Sequence, residues 1–299
     1  MLTSGNPIFP GWYADPELHL FDGRYWIYPT TSDAYECQTF FEAFSSPDLV
    51  EWRNEGVILD FADVPWSTNR CAWAPSCAEK DGKYFFYFSA GDGAGLGVAV
   101  SDSPRGPFID ALGKPMVAEY HHGAQPIDAH CFVDDDGRAY LYWGGWKHCV
   151  ISELGAEMTS LVGEIVEITP EHYVEGPFML KRQGVYYLMW SEGGWGDASY
   201  RIAYARSDNP FGPFDREDAV FVPNPSLATS AGHHSVLQIP GTDEWILAYH
   251  RRPLEETHHN HRVVCLEEMR FAPDGRIEPV VLTHEGVRAR PLEAAPTSG

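Results

Sequence analysis

Apolar and polar positions alternate along this chain in short paired runs, each pair broken by a glycine turn. In LHLFDGRYWIYP, Asp22-Gly23 separates two alternating stretches, a strong local signal for an antiparallel hairpin. The shape returns in APSCAEKDGKYFFYFSA at Asp81-Gly82, in IDAHCFVDDDGRAYLYWGG at Asp136-Gly137 and in EGPFMLKRQGVYYLMWSEGG at Gln183-Gly184. A fifth copy, GHHSVLQIPGTDEWILAYHR, turns between Gly241 and Asp243. The copies recur every roughly 47 to 60 residues, the length of a four-stranded blade with its connections. Between them, SPDLVEW (46–52), SDSPRGPF (101–108) and RSDNPFGPF (206–214) read as outer strands and turns of successive blades.

This pattern predicts an all-β, five-bladed β-propeller. One helix-compatible segment, ELGAEMTSLVGEIVEI (153–168), is short enough for tertiary context to make it strand or loop. No linker divides the chain, so residues 1–292 are expected to form a single domain, with EAAPTSG (293–299) a disordered tail. Aromatics at 14%, with 28 Gly and 23 Pro, favour short strands and tight turns over helix bundles.

Charge narrows the partners. A net charge of −22 without a Lys/Arg cluster argues against nucleic acid. The N-terminal LTSGNPIFPGW lacks the features of a signal peptide, and no run of apolar residues is long enough to span a membrane, so a cytoplasmic protein is expected. Cys37, Cys71, Cys77, Cys131, Cys149 and Cys265 form no CxxC pair and are expected to be buried thiols.

Innermost blade strands line a propeller's axis, so matched positions of the repeats converge there. Those positions offer Asp15, Pro75, Asp128, Glu175 and the pair His233-His234. Pro16 is expected to restrict Asp15 to an extended conformation. Three carboxylates in an aromatic pocket cannot all ionise freely, and staggered protonation of this kind gives a glycosidase its acid and its base. Each carboxylate alone reads as a turn former; the matched set does not.

The residues that carry this pattern resemble glycoside hydrolase family 43, whose members are five-bladed propellers. They are ADP (14–16), WAP (73–75), ID (127–128) with its DDDG hairpin, EGP (175–177), GHHS (232–235) and YHR (249–251). The resemblance implies inverting hydrolysis of pentose glycosides, with Asp15 as general base, Glu175 as general acid and Asp128 orienting the acid and raising its pKa. It places His233 at the pocket floor, where it can bind a calcium ion or water on the axis; the alternative is a histidine hydrogen-bonded within the channel. It also aims Arg262 at substrate hydroxyls, a surface ion pair being the competing role.

Trp73 and Trp146 are expected to stack on sugar, and His234 to contact substrate. His250 and Arg251 stand behind them without an assigned role. His258, His259 and His261 in THHNHR read as an exposed loop rather than a metal site. At 299 residues no appended β-sandwich is expected. The expected activity is exo β-xylosidase with α-L-arabinofuranosidase action on short oligosaccharides. An endo-arabinanase and a non-catalytic carbohydrate-binding propeller are the alternatives.

Overall fold

The computed structural model describes residues 2–91, 93–222 and 224–292, and the tail 293–299 lies outside them. Four four-stranded antiparallel sheets follow one another. Blade one joins β1 (Tyr13–Phe21), β2 (Arg24–Thr31), β3 (Phe40–Ser46) and β4 (Arg53–Asp60). Blade two joins β5 (Ala72–Lys80), β6 (Lys83–Ala90), β7 (Gly95–Ser101) and β8 (Ile109–Asp110). Blade three joins β9 (His130–Val133), β10 (Ala139–Trp143), β11 (Val150–Leu154) and β12 (Leu161–Glu167), so the helix-compatible segment is strand and turn. Blade four joins β13 (Glu175–Arg182), β14 (Val185–Glu192), β15 (Arg201–Ser207) and β16 (Arg216–Ala219). After β17 (Phe221–Val222), blade five has β18 (Ala228–Gln238), β19 (Trp245–Pro253) and β20 (Val263–Met269), and β21 (Val280–Val281) pairs in parallel with β17.

The turns follow from their residues. Asp22-Gly23, Asp81-Gly82 and Gln183-Gly184 all take positive φ, the two-residue geometry whose twist matches that of the strands. The segments 47–52, 102–108 and 208–215 connect third strands to fourth ones.

Hydrophobic clusters fill the spaces between blades rather than a single centre. Tyr28 and Phe41 meet Phe86 and Phe88 between blades one and two. Further clusters join blades two and three, three and four, and four and five. Another places Ile27 of blade one against Ile246 of blade five, which closes the ring. Each fully buried Phe or Leu in these wedges contributes about 1.5–3 kcal/mol. Five cysteines are buried and Cys37 is exposed; none of the six is in a disulfide. Among the described residues no helix is long and apolar enough to cross a membrane.

Each blade turns its chain towards the axis through one residue with positive φ: Asp15 (49°), Ala74 (41°), Asp128 (58°), Gly176 (63°) and His233 (34°). Irregular pairing surrounds it in β1, β5, β13 and β18, a bulge that re-aims the side chains. Asp15 is therefore left-handed rather than extended. Pro16 keeps it out of the right-handed helical region, and the bulge selects the remaining option. The matched positions also shift by one residue. Ala74, not Pro75, is the partner of Asp15, and Gly176, not Glu175, is the partner of Asp128.

Asn6 secures the closure. Its Nδ2 donates to Leu266 O and to Glu267 Oε1, both at 3.0 Å, and its Oδ1 accepts from Leu266 N–H at 2.9 Å. The N-terminal segment thereby lies along β20, where a fourth strand of blade five would run. Replacing three buried hydrogen bonds by a methyl group, Asn6→Ala is expected to lower unfolding free energy by about 2–4 kcal/mol. Urea denaturation should show the midpoint falling with the slope unchanged.

Candidate active site

A pocket of about 100 Å³ opens on the axis. Asp15, Asp128, Glu175 and His233 reach it from the inner ends of four blades. Trp73 walls the blade-two side, with its indole N–H donating to Gln38 Oε1 and its ring edge-on to Tyr35 at 5.6 Å. Arg262, Trp195 and Asn260 complete its lining.

Asp15 is surrounded by donors and cations. Arg262 Nη1 lies 3.5 Å from its Oδ1, and His233 Nδ1 also 3.5 Å. Its backbone N–H donates to His250 Nδ1 at 3.1 Å. Burial alone would raise this carboxyl, but Arg262 and His233 outweigh it and hold Asp15 well below the usual carboxylate range. Asp15 is therefore an anion at neutral pH. Arg262 is buried, donates from Nε to Ser32 Oγ at 3.0 Å and lies 5.6 Å over Trp195, so it is no surface ion pair.

The other two acids behave differently. Burial raises Asp128 well above its ordinary value, and the charges of Glu175 and Asp15 push it further; the Gly176 N–H opposes them. Burial also raises Glu175, against the Tyr200 hydroxyl, which donates to Oε1 at 2.9 Å, and against His233. These two groups hold a proton between them at pH values where Asp15 holds none. One small cavity thus contains a firm carboxylate and a protonated pair, the division of labour that acid–base chemistry at a glycosidic carbon needs.

His234 and Trp146 lie elsewhere. His233 takes the bulge position facing the pocket, while His234 points down the axis beneath it, 5.5 Å from the Phe178 ring. Burial keeps His234 neutral. It is 3% exposed and lines no part of the pocket, so the expected substrate contact is not made. Trp146 is 70% exposed, outside the pocket, with its ring edge-on to Tyr120 at 6.1 Å. It belongs to the connection that follows β10 and carries the chain away from the axis.

Tyr35, Trp195, Tyr200 and Asn260 are site residues that sequence reasoning passed over. Trp195 had a signal, since a large aromatic between glycines in GGWGD suits a loop that must approach something closely. Asn260 hid in THHNHR. There His261 stacks on Trp12 at 4.6 Å and His259 meets Trp195 at 5.7 Å, so the histidines brace the wall.

Among the described residues no three His, Cys, Asp or Glu side chains come together as a metal cage. His233 beside two carboxylates offers fewer oxygens than calcium takes, and no step below is routed through a metal.

The family model described as Glycosyl hydrolases family 43 matches residues 4–277. The β-D-galactofuranosidase of Aspergillus niger is 52% identical, over 97% of this chain and 88% of its own. Xylosidase/arabinosidase 43A of Humicola insolens is 32% identical, over 88% and 95%. Among solved structures, a β-xylosidase/α-arabinofuranosidase from a compost metagenome, in complex with xylotriose, superposes with TM-score 0.80 at 28% identity, covering 94% of this chain and 98% of the other. An α-L-arabinofuranosidase from Clostridium thermocellum gives 0.76 at 32%, covering 92% and 95%. With the propeller, its axial acids and these relatives in agreement, the chain belongs to glycosyl hydrolase family 43 and is a glycoside hydrolase.

Proposed function

We propose that the chain is an inverting exo-hydrolase that releases one terminal pentose, xylose or arabinose, from short oligosaccharides. The observation that carries this reading is the pocket itself: three acids and an arginine converge around about 100 Å³, a space on the scale of one sugar unit. An endo-arabinanase needs an open groove across the propeller face, and a binding module gains nothing from a proton held between Asp128 and Glu175.

In this mechanism Asp15, held ionised by Arg262 and His233, takes a proton from the attacking water. Glu175 gives its proton to the leaving oxygen. Inversion requires the two carboxyl groups to sit roughly 6.5–9.5 Å apart so that the water fits between base and sugar. Asp128 and Glu175 share one proton, and in the form that has it on Glu175 the ionised Asp128 beside it disfavours its loss.

A second reading is favoured by the 52% identical Aspergillus relative, which is named for β-D-galactofuranose. That sugar has the ring stereochemistry of α-L-arabinofuranose and a longer exocyclic arm, so the same acids would serve both. Turnover of 4-nitrophenyl β-D-xylopyranoside, α-L-arabinofuranoside and β-D-galactofuranoside decides between them. Pentose release is expected; hydrolysis of the galactofuranoside alone would replace the pentose reading.

Three variants test the roles. On substrates with sugar leaving groups, Asp15→Ala and Glu175→Ala should each lose about 10²–10⁴-fold in kcat. With a fluoride leaving group, which needs no proton, only Glu175→Ala should recover; equal recovery of both would overturn the division of roles. Asp128→Asn removes a like charge from beside Glu175, which favours the ionised acid. The alkaline limb of the pH–rate profile is therefore expected at lower pH, and an unmoved limb would exclude Asp128 as the group that raises the acid.

A further inference from the structure

One hydroxyl is aimed at Glu175. The Tyr200 hydroxyl donates to Glu175 Oε1 at 2.9 Å. With Oε1 already accepting, the proton of the acid is left to Oε2.

The Tyr200 ring is fixed as firmly as its hydroxyl. It stacks on His250 with centroids 5.8 Å and planes 13° apart. On its other contact, a Cβ built on Gly232 would stand 2.2 Å from Tyr200 Cε1, so only glycine leaves room for the ring. Gly232 and His250 face each other across β18 and β19, which means that a blade-four side chain lies flat on the blade-five sheet. His250 in turn accepts the N–H of Asp15. One stacked pair therefore touches both the backbone of Asp15 and the carboxyl of Glu175. Tyr200 also lines a cavity of about 1100 Å³ to which Glu175 does not contribute.

We propose that Tyr200 is a positioning residue for this hydrolysis: its hydroxyl pins Oε1 of Glu175, directs the transferable proton to Oε2, and its stacking on His250 sets the acid relative to Asp15. The proposal rests on the reading of Glu175 as general acid. The bond carries a trade-off, because it favours the ionised carboxyl and so lowers the acid's pKa while it fixes its direction.

The test compares pH profiles of kcat/KM for wild type, Tyr200→Phe, Gly232→Ala and Glu175→Gln on a disaccharide that the wild type cleaves. Tyr200→Phe keeps the ring and loses the bond to the ionised form, so its alkaline limb should move up by about one pH unit. Its kcat should fall about tenfold with KM within about twofold, since orientation rather than binding is lost. Gly232→Ala displaces the ring and should move the limb in the same direction. A packing role alone would lower kcat in both variants without raising the limb, and that result overturns the proposal even if Glu175→Gln is inactive. A Glu175→Gln enzyme with wild-type turnover overturns the acid assignment, and the proposal with it.

Discussion

The structure depends on the capture of one backbone N–H per blade. A left-handed residue costs about 1 kcal/mol unless something holds it, and here the holder is the preceding blade. Ala74 N–H donates to Thr30 Oγ1 of β2, Asp128 N–H to Ser89 Oγ of β6, His233 N–H to Ser191 Oγ of β14, and Asp15 N–H to His250 Nδ1 of β19. Each acceptor stands across its sheet from the residue before that blade's own left-handed position: Thr30 from Ala14, Ser89 from Trp73, Ser191 from Glu175 and His250 from Gly232. Blade three breaks the rule. Its corresponding residue is Gly144, whose N–H bonds to Ile127 O and which carries no side chain to accept anything. The Gly176 N–H is not captured in this way, and it opposes the rise of the Asp128 carboxyl instead. The gap in a fivefold scaffold lies between the two acids that share a proton.

The same capture explains the electrostatics. Where the acceptor is histidine, at blade one, its ring stays neutral: burial and the charge of Arg262 lower His250 to about 4, so Nδ1 keeps the lone pair that Asp15 N–H needs. Below that value protonation would break the bond. Asp15 has Arg262 and His233 each 3.5 Å from its carboxyl, whereas at Asp128 burial and the charges of Glu175 and Asp15 outweigh the pull of Arg262 and the Gly176 N–H. Two aspartates at equivalent positions of the repeat are shifted in opposite directions, Asp15 down and Asp128 up.

Much of the fold was legible because the hairpin turns repeat and their residues permit few geometries. Asp22-Gly23, Asp81-Gly82 and Gln183-Gly184 announce a tight turn locally, with no help from distant residues. The location of Asp15, Asp128, Glu175 and His233 was legible for a related reason, as each sits at the start of a repeat. What failed was the last residue of register. ADP, WAP and EGP align on their prolines, which puts Ala74 and Gly176 beside Asp15 and moves Glu175 one position earlier; side-chain type had suggested a match that backbone geometry does not make. His234 and Trp146 failed likewise, because a neighbour in sequence to an axial residue faces another way once a bulge intervenes. Tyr200 and Asn260 gave no signal at all, since their place depends on loops folding over from adjoining blades.

That division separates reaction from specificity. The acids stand on or beside inner strands whose backbone is fixed by neighbouring blades, and they would be held the same way whatever sugar arrived. Trp73 apart, the walls come from segments between strands: Tyr35 after β2, Trp195 between β14 and β15, Asn260 between β19 and β20. Such segments can change length and residue without disturbing the captured N–H groups. A relative with half of its residues identical and a name for a hexofuranose, beside more distant ones named for xylose and arabinose, is what this arrangement permits. The repeat motifs therefore identify hydrolysis, while the sugar is chosen by a few wall side chains that no repeat constrains.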